Sequence, residues 1–193
     1  MDIKLILAII SIIIGVGACY PYLRDIFSNK TKPHAYSWLI WAITQGVAFA
    51  GILHGGGAWG VASDGAFTLL AVLLFMLSFK YGTKNITKSD TVILIFALLS
   101  IVVWVQLDQS LLAVIMVTII DVLGYIPTIR KTYIDPWSET LESWFAFAIS
   151  NLLSLFALSE YNAITLTYVG VVLVVNMVIS TVCFLRRRKL RMS

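Results

Sequence analysis

The sequence predicts an all-α integral membrane protein. Its seven transmembrane helices are expected in a 3-1-3 arrangement of two parallel triple-helix repeats, with helix 4 as an inverting linker. Three observations predict this fold class. Of the 193 residues, 60% are hydrophobic and only 12% are charged. The basic residues fall on one side of the apolar segments, and residues 14–45 recur without a gap 106 positions later, so that Pro21 returns as Pro127.

Seven apolar segments are long enough to cross the hydrocarbon core of a bilayer, which takes about 20 residues per helix. They span residues 3–22, 35–54, 59–79, 89–107, 110–130, 141–159 and 163–185. The segments do not alternate as strands do, and a helix satisfies its own backbone hydrogen bonds in lipid, so helices are favoured over a barrel. Gln106 and Asp108 cut the fourth segment short.

The charges test this count of helices independently. Of the 14 Lys and Arg residues, 13 follow the first, third, fifth or seventh helix, and Lys4 alone lies on the other side. The positive-inside rule then places the amino terminus outside and the carboxy terminus in the cytoplasm of a cell membrane. We expect the basic cluster at 186–191 to anchor the chain on the lipid bilayer, and no binding of nucleic acid.

The internal repeat sets the architecture. Eight residues of 14–45 are identical in the second copy, among them Arg24, Ser37 and Trp38, which return as Arg130, Ser143 and Trp144. Two three-helix units joined directly would point in opposite directions, and one extra crossing restores a common direction. The sequence therefore predicts a first repeat over 1–82, a linker helix within 83–108 and a second repeat over 109–193.

This pattern resembles the SWEET sugar transporters and the wider PQ-loop superfamily. The resemblance lies in the 3-1-3 layout and in a Pro near the cytoplasmic end of the first helix of each triplet, followed by a short basic loop. The Pro-Gln dipeptide of that family reads Pro21-Tyr22 and Pro127-Thr128 here. The stretches PHAYSWLIW and DVLGYIPTIRK also resemble a group of uncharacterised bacterial membrane proteins. The resemblance implies transport of a small solute by alternating access, with the substrate between the triplets.

Pro21 and Pro127 occupy matched depths in the two repeats. A Pro inside a helix removes one backbone hydrogen bond and kinks the preceding turn. The resemblance implies that the two kinks act as hinges when one triplet rocks against the other. The alternative is that each Pro only ends its helix near the membrane interface.

An aromatic stripe runs up the second helix of the first triplet. Trp38 lies at the membrane boundary, Trp41 one turn deeper and Gln45 another turn further. In the second copy the stripe reads Trp144, Phe147 or Ala148, and Asn151. Such a stripe is either a platform for a flat polar solute, or an interfacial belt and a helix-packing face.

Side-chain amides in mid-bilayer are the sharper candidates for substrate binding. Gln45 and Asn151 lie at equivalent positions about ten residues into their helices, where an unpartnered polar group is expensive. They either meet a substrate between the repeats or join helices by hydrogen bonds. The resemblance adds Asn176, because SWEET-like transporters carry a substrate-binding Asn on helix 7. The matching position on helix 3 is Leu70.

Two carboxylates lie within predicted helices and have no counterpart in the other repeat. Asp121 is near the middle of helix 5 and Asp64 near the outer end of helix 3. A carboxylate inside a membrane is a functional candidate by default, and burial favours its protonated form, so either residue could couple proton movement to transport or act as a gate. The alternatives are a hydrogen-bonded packing role for Asp121 and a solvated vestibule position for Asp64.

Other functional classes receive less support. His34 and His54 are isolated on opposite faces of the membrane, and no nucleophile, base and acid cluster, so we expect no enzyme activity, metal or other cofactor. The expected partners are a small-molecule solute and the bilayer, with a homo-oligomer left open. Uptake of a vitamin or nucleoside, resembling nicotinamide riboside transporters, and a receptor or assembly factor resembling the KDEL receptor are the alternatives.

Overall fold

Helices form all the regular structure in the part of the chain that the computed structural model describes, residues 3–54, 56, 62–83, 87–107 and 110–192, apart from one isolated bridge. The seven α-helices are α1 (Ile3–Phe27), α2 (Ala35–His54), α3 (Ala62–Tyr81), α4 (Lys88–Leu107), α5 (Ser110–Ile134), α6 (Leu141–Ala157) and α7 (Ala163–Met192). A 3₁₀ turn, Pro136–Ser138, precedes α6. The prediction of an all-α chain is confirmed. Asp108, expected to shorten the fourth helix, lies outside the described residues.

Several of these helices could span a membrane. By length and composition, α1, α2, α3 from Asp64 onward and α7 are four candidate membrane spans in the described chain. Helix α6 is also apolar but shorter, at 17 residues. Large apolar side chains cover the outer faces of the helices, as Ile13 (65% exposed) and Leu69 (73% exposed) illustrate. Such outward-facing apolar surfaces are typical of a multi-pass helical membrane protein.

Both predicted kink positions lie inside helices. Pro21 is followed by helix as far as Phe27, and Pro127 by helix as far as Ile134. The interpretation of these prolines as helix terminators was therefore wrong. The missing N–H group at each position still leaves one carbonyl of the preceding turn without its helical partner. Their role as hinges stays a prediction.

Six of the helices surround a common centre. Helix α1 packs on α3 and α6, α2 packs on α3 and α5, and α7 packs on α5 and α6, so contacts run around the order α1, α3, α2, α5, α7, α6 and back to α1. Helix α4 lies outside this ring and packs on α2 and α5. Half-exposed side chains such as Ile95 and Phe96 cover its outer face. We call this arrangement of six helices the helix ring.

Two apolar clusters fill the helix ring at different levels. One is rich in aromatic residues and includes Tyr22, Trp38 and Trp144 near the end where α1, α3, α5 and α7 finish. We call this end, which carries Arg24, Lys131 and the arginines of α7, the basic end. The second cluster is mostly aliphatic, centres on Val47 and Val117, and lies toward the opposite end.

Polar contacts join α1 to α6 in the interior. The hydroxyl of Ser11 contacts the carbonyl oxygen of Ser150 at 2.8 Å and the hydroxyl of Ser154 at 2.8 Å. In return, the hydroxyl of Ser150 donates to the carbonyl of Ser11 at 2.8 Å. All three side chains are buried. Reciprocal hydrogen bonds of this kind hold helices together where lipid offers no hydrophobic driving force.

The serine cluster makes the first testable prediction. Ser11→Ala should lower the free energy of unfolding by about 1 kcal/mol, because interhelical hydrogen bonds in membrane proteins contribute roughly 0.6 to 1.7 kcal/mol. For a chain of this size that corresponds to a melting temperature lower by about 2–4 °C in detergent. Ser28→Ala, at an exposed position in the turn after α1, is the control. Equal melting temperatures for the two variants would contradict a stabilising role of the cluster.

Candidate functional site

A small cavity lies at the centre of the helix ring. Its volume is about 40 Å³, which corresponds to room for roughly three water molecules. Eight residues of the predicted stripes, amides and carboxylates line it, namely Trp38, Trp41, Gln45, Asp64, Trp144, Phe147, Asn151 and Asn176. Both stripes predicted on α2 and α6 therefore point to the same space. Leu70, the position that replaces a second helix-3 amide, also lines it.

Aromatic rings close the cavity on the side of the basic end. Trp41 packs against Trp38 with ring centroids 4.9 Å apart and against Trp144 at 6.0 Å. Tyr22 packs edge-on against Trp38 at 5.5 Å. The three tryptophans are between 2% and 6% exposed. The alternative of an interfacial aromatic belt was therefore wrong, because these rings face the protein interior.

Two side-chain amides of the cavity lining, Asn151 and Asn176, donate to carbonyls of their own helices. The Nδ2 group of Asn151 donates to the carbonyl of Phe147 at 2.9 Å, one turn back on its own helix. Asn176 donates in the same way to the carbonyl of Val172 at 2.9 Å. These bonds fix each amide along the wall of the cavity.

Polar atoms without a hydrogen-bond partner cluster around this space. Among the described residues, five buried side-chain polar atoms are unpartnered, and three of them belong to the cavity lining: Nε1 of Trp41, Oε1 of Gln45 and Oδ2 of Asp64. An unpaired buried polar group costs about 1–3 kcal/mol, which favours occupation by water or by the polar groups of a solute. The site thus offers one donor and two acceptors beside aromatic faces.

Asp121 lies behind the cavity rather than in its lining. Its carboxylate is 1% exposed and accepts hydrogen bonds from the hydroxyls of Thr44 on α2 and Tyr168 on α7, the latter at 3.4 Å. Tyr168 itself lines the cavity, so one side chain separates Asp121 from that space. The predicted hydrogen-bonded packing role is therefore present, although one oxygen, Oδ2, remains unpartnered.

Asp64 is buried rather than solvated. It is 4% exposed, so the alternative of a solvated residue at a vestibule mouth was wrong. Its carboxylate is close enough to Asp121 for the two charges to interact, and Tyr168 interacts with both. Two carboxylates and a phenol therefore share one buried region beside the cavity.

An ion pair lies directly beneath the aromatic rings at the basic end. The indole nitrogen of Trp144 donates to Oε2 of Glu139 at 2.9 Å. The other oxygen of Glu139 accepts from the ammonium group of Lys131 at 2.6 Å, and Glu139 is only 2% exposed. Trp144 thus touches both the cavity and an ion pair whose carboxylate is buried.

Further contacts at this end join α1 and the α1–α2 connection to α5 and to the segment before α6. The hydroxyl of Thr140 donates to Oδ2 of Asp25 at 2.9 Å and lies 3.0 Å from the hydroxyl of Thr31. Lys131 also donates to the carbonyl of Lys32 at 3.1 Å. These bonds close the basic end over the cavity.

Sequence reasoning missed several lining and supporting residues. Cys19, Phe67, Tyr125 and Tyr168 line the cavity, and Glu139 supports it from below. Glu139 carried a usable signal, since it is an acidic residue between Lys131 and Trp144 in the repeated segment. Neither Pro21 nor Pro127 is a lining residue; Pro127 borders a separate pocket at the basic end.

Comparisons with protein-family models, with curated proteins and with solved structures found no match.

Proposed function

We propose that this protein is a small-solute transporter that works by alternating access, similar to SWEET and PQ-loop transporters. The observation that carries the proposal is the central cavity, whose lining combines three tryptophans with three unpartnered polar atoms, one each on Trp41, Gln45 and Asp64. Aromatic faces stack on flat or ring-shaped solutes, and the few polar groups fix their orientation. The substrate is a sugar or another small polar metabolite.

The proposed alternating-access mechanism requires an architecture of two repeats. The order of contacts supports it, because α3 packs between α1 and α2 as α7 packs between α5 and α6, and the contact of α1 with α6 matches that of α5 with α2. The repeats comprise 1–82 and 109–193, with α4 as the inverting linker. The site then lies on the axis that relates the two triplets.

Matched interior contacts also support the repeat. Positions 44 and 121 meet between α2 and α5, and the positions 106 residues away, Ser150 and Gly15, meet between α6 and α1. A Cβ at Gly15 would lie 2.9 Å from the hydroxyl of Ser150 and 2.5 Å from the ring of Phe67. The ring of Phe67 thus fills the space that a second carboxylate would need. One triplet keeps Asp121 and the other keeps glycine.

The proposed orientation places the basic end in the cytoplasm of a cell membrane, with the amino terminus outside. Arg24, Lys131 and the arginines of α7 cluster there, as the positive-inside rule requires. In this orientation the described conformation is closed toward the cytoplasm by Glu139, Thr140 and Asp25. A metabolite larger than a few waters enters the 40 Å³ cavity only when the triplets separate.

Transport by purified protein in liposomes tests the proposal directly. A panel of sugars, amino acids and nucleosides is offered with and without a pH gradient, and uptake is compared with empty liposomes. Saturable flux of at least one solute supports the transporter. No flux for any solute, together with stable binding of a peptide or protein ligand, would favour a receptor or assembly factor instead.

Gln45→Leu is expected to weaken binding of the transported solute at least tenfold without lowering the melting temperature. The reason is that Oε1 of Gln45 has no protein partner to lose, so replacement of this buried acceptor by an apolar group leaves the fold intact. Gln106→Leu, at an exposed position of α4, is the matched control. A large loss of stability with unchanged binding would identify Gln45 as a packing residue.

Asp121→Asn is expected to abolish the dependence of uptake on a pH gradient while leaving counterflow exchange of solute intact. Asparagine keeps the acceptor for Thr44 and Tyr168 but cannot exchange a proton. Glu142→Gln, an exposed carboxylate at the start of α6, controls for a general change of charge. Retained proton coupling in Asp121→Asn would remove this residue from the coupling mechanism.

Glu139→Ala is expected to open the basic end. Loss of the bonds to Trp144 and Lys131 removes a partly buried ion pair. A change of about 1.4 kcal/mol against the closed state shifts its population tenfold. The readout is labelling of Cys19, a buried residue of the cavity lining, by a polar thiol reagent in a Cys183→Ser background. Labelling about tenfold faster than in the exposed-site control Glu142→Ala is expected. Equal rates would show that Glu139 does not keep the cavity closed.

A further inference from the structure

A second pocket opens at the basic end, away from the central cavity. Its volume is about 310 Å³, and it lies among the α1–α2 connection, the end of α3 and the last two turns of α5. Its polar lining includes Lys32, Thr83, Thr128, Arg130, Lys131 and Ser138. Ammonium, guanidinium and hydroxyl groups together provide the donors that an anionic phosphate oxygen accepts.

The positive charge of this pocket is only partly compensated. Within the described part of the chain, neither Lys32 nor Arg130 forms an ion pair, whereas Lys131 pairs with Glu139. Asp135 is the carboxylate in the lining, and its Oδ1 accepts from the backbone N–H of Trp137 at 3.2 Å. His34 also borders the pocket, but its Nε2 faces Asp90 at 3.5 Å. The lining thus holds two cations outside ion pairs against one carboxylate, and an anion could pair with both cations.

An apolar groove continues from this pocket. It has a volume of about 500 Å³, runs between α5 and α7, and is lined by Ile126, Ile129, Arg130, Tyr133, Ile134 and Val182. Arg130 and Ile134 belong to both the pocket and the groove. Ile126 is 51% exposed and Ile134 72%, so the groove lies open on the outer face of the helices. The cationic pocket and the apolar groove therefore meet at Arg130 and Ile134.

Arg186 lies beside the groove. Its guanidinium stacks over the ring of Tyr133 at 4.2 Å and donates to the carbonyl of Tyr133 at 2.8 Å. This contact fixes Tyr133, one of the groove residues, at the level of the basic pocket. The groove thus changes from apolar to cationic along its length, as a lipid molecule changes from acyl chain to headgroup.

We propose that the pocket and the groove together bind one anionic phospholipid. The phosphate of the headgroup is held by Arg130 and Lys32, and an acyl chain occupies the groove between α5 and α7. Basic pockets between helices at the cytoplasmic side of membrane proteins suit such headgroups. A soluble phosphate ester would use only the pocket and leave the apolar groove unfilled, so the continuity of the two favours a lipid. The inference is independent of the transported solute.

Native mass spectrometry of the full chain in detergent tests the site. The protein is titrated with dioleoyl phosphatidylglycerol, with dioleoyl phosphatidylcholine, and with soluble glycerol phosphate as a competitor. Phosphatidylglycerol is expected to bind at least tenfold more tightly than phosphatidylcholine. Glycerol phosphate at the same concentration is expected not to displace it, because it has no acyl chain.

The repeat supplies a matched control variant. Arg24 stands 106 positions before Arg130, but its guanidinium pairs with Asp25 at 3.0 Å. Arg130→Gln should weaken phosphatidylglycerol binding about fivefold, the effect of one basic contact near a membrane surface, whereas Arg24→Gln should leave it unchanged. If Arg130→Gln does not fold, Lys32→Gln takes its place with the same expectation.

Val182→Ser tests the groove separately. It should reduce binding of phosphatidylglycerol while the melting temperature without lipid stays close to that of the wild type. Three results would each overturn the proposal. They are equal binding of the two lipids, equal losses in Arg130→Gln and Arg24→Gln, and displacement of the lipid by glycerol phosphate at equal concentration, which would identify a phosphate-ester site.

Discussion

The hydrogen bonds between α1 and α6 and between α2 and α5 are the constraint on which the helix ring depends. Apolar helices gain no hydrophobic free energy when they leave lipid for one another, so close packing and polar contacts must hold the ring together. Ser11 and Ser150 supply this on one side, and Thr44 with Asp121 on the other. Gly51 allows α2 to approach α5 closely, since a Cβ there would lie 2.9 Å from Val114. The cavity exists because these contacts fix the two sides while large aromatic rings keep the centre from collapsing.

The positions of the helices along the chain were predictable, because hydropathy and charge are local properties of the sequence. The helices follow the predicted segments closely, and the stripe of Trp38, Trp41 and Gln45 does face one space. The contacts between side chains of different helices were not predictable, since they depend on the order in which the helices pack around the ring. The bond from Trp144 to Glu139 and the placement of Asp121 behind Tyr168 both required that order. Tyr125 and Tyr168 gave no separate signal, because tyrosines in apolar helices are equally common as interfacial anchors.

In the proposed two-repeat architecture, the differences between the two copies determine the chemistry of the site. Asp121 meets Thr44 where Gly15 meets Ser150, and the ring of Phe67 covers the glycine. Asn176 and Leu70 line the same cavity with opposite polarity. The carboxylates therefore lie beside one wall, close enough for Asp64 and Asp121 to interact. For the proposed transporter, such a site would hold an asymmetric solute in one orientation, whereas two identical halves would offer it two equivalent poses.

Trp144 belongs to two structures at once, since its ring contacts the cavity and its N–H reaches the buried Glu139. If a bound solute weakens this hydrogen bond, thermodynamic linkage requires that the hydrogen bond weakens solute binding by the same free energy. For the proposed transporter, passage of the solute and opening of the basic end would then be coupled. Without solute the proposed transporter would open less often at the basic end, which would limit ion leakage between cycles.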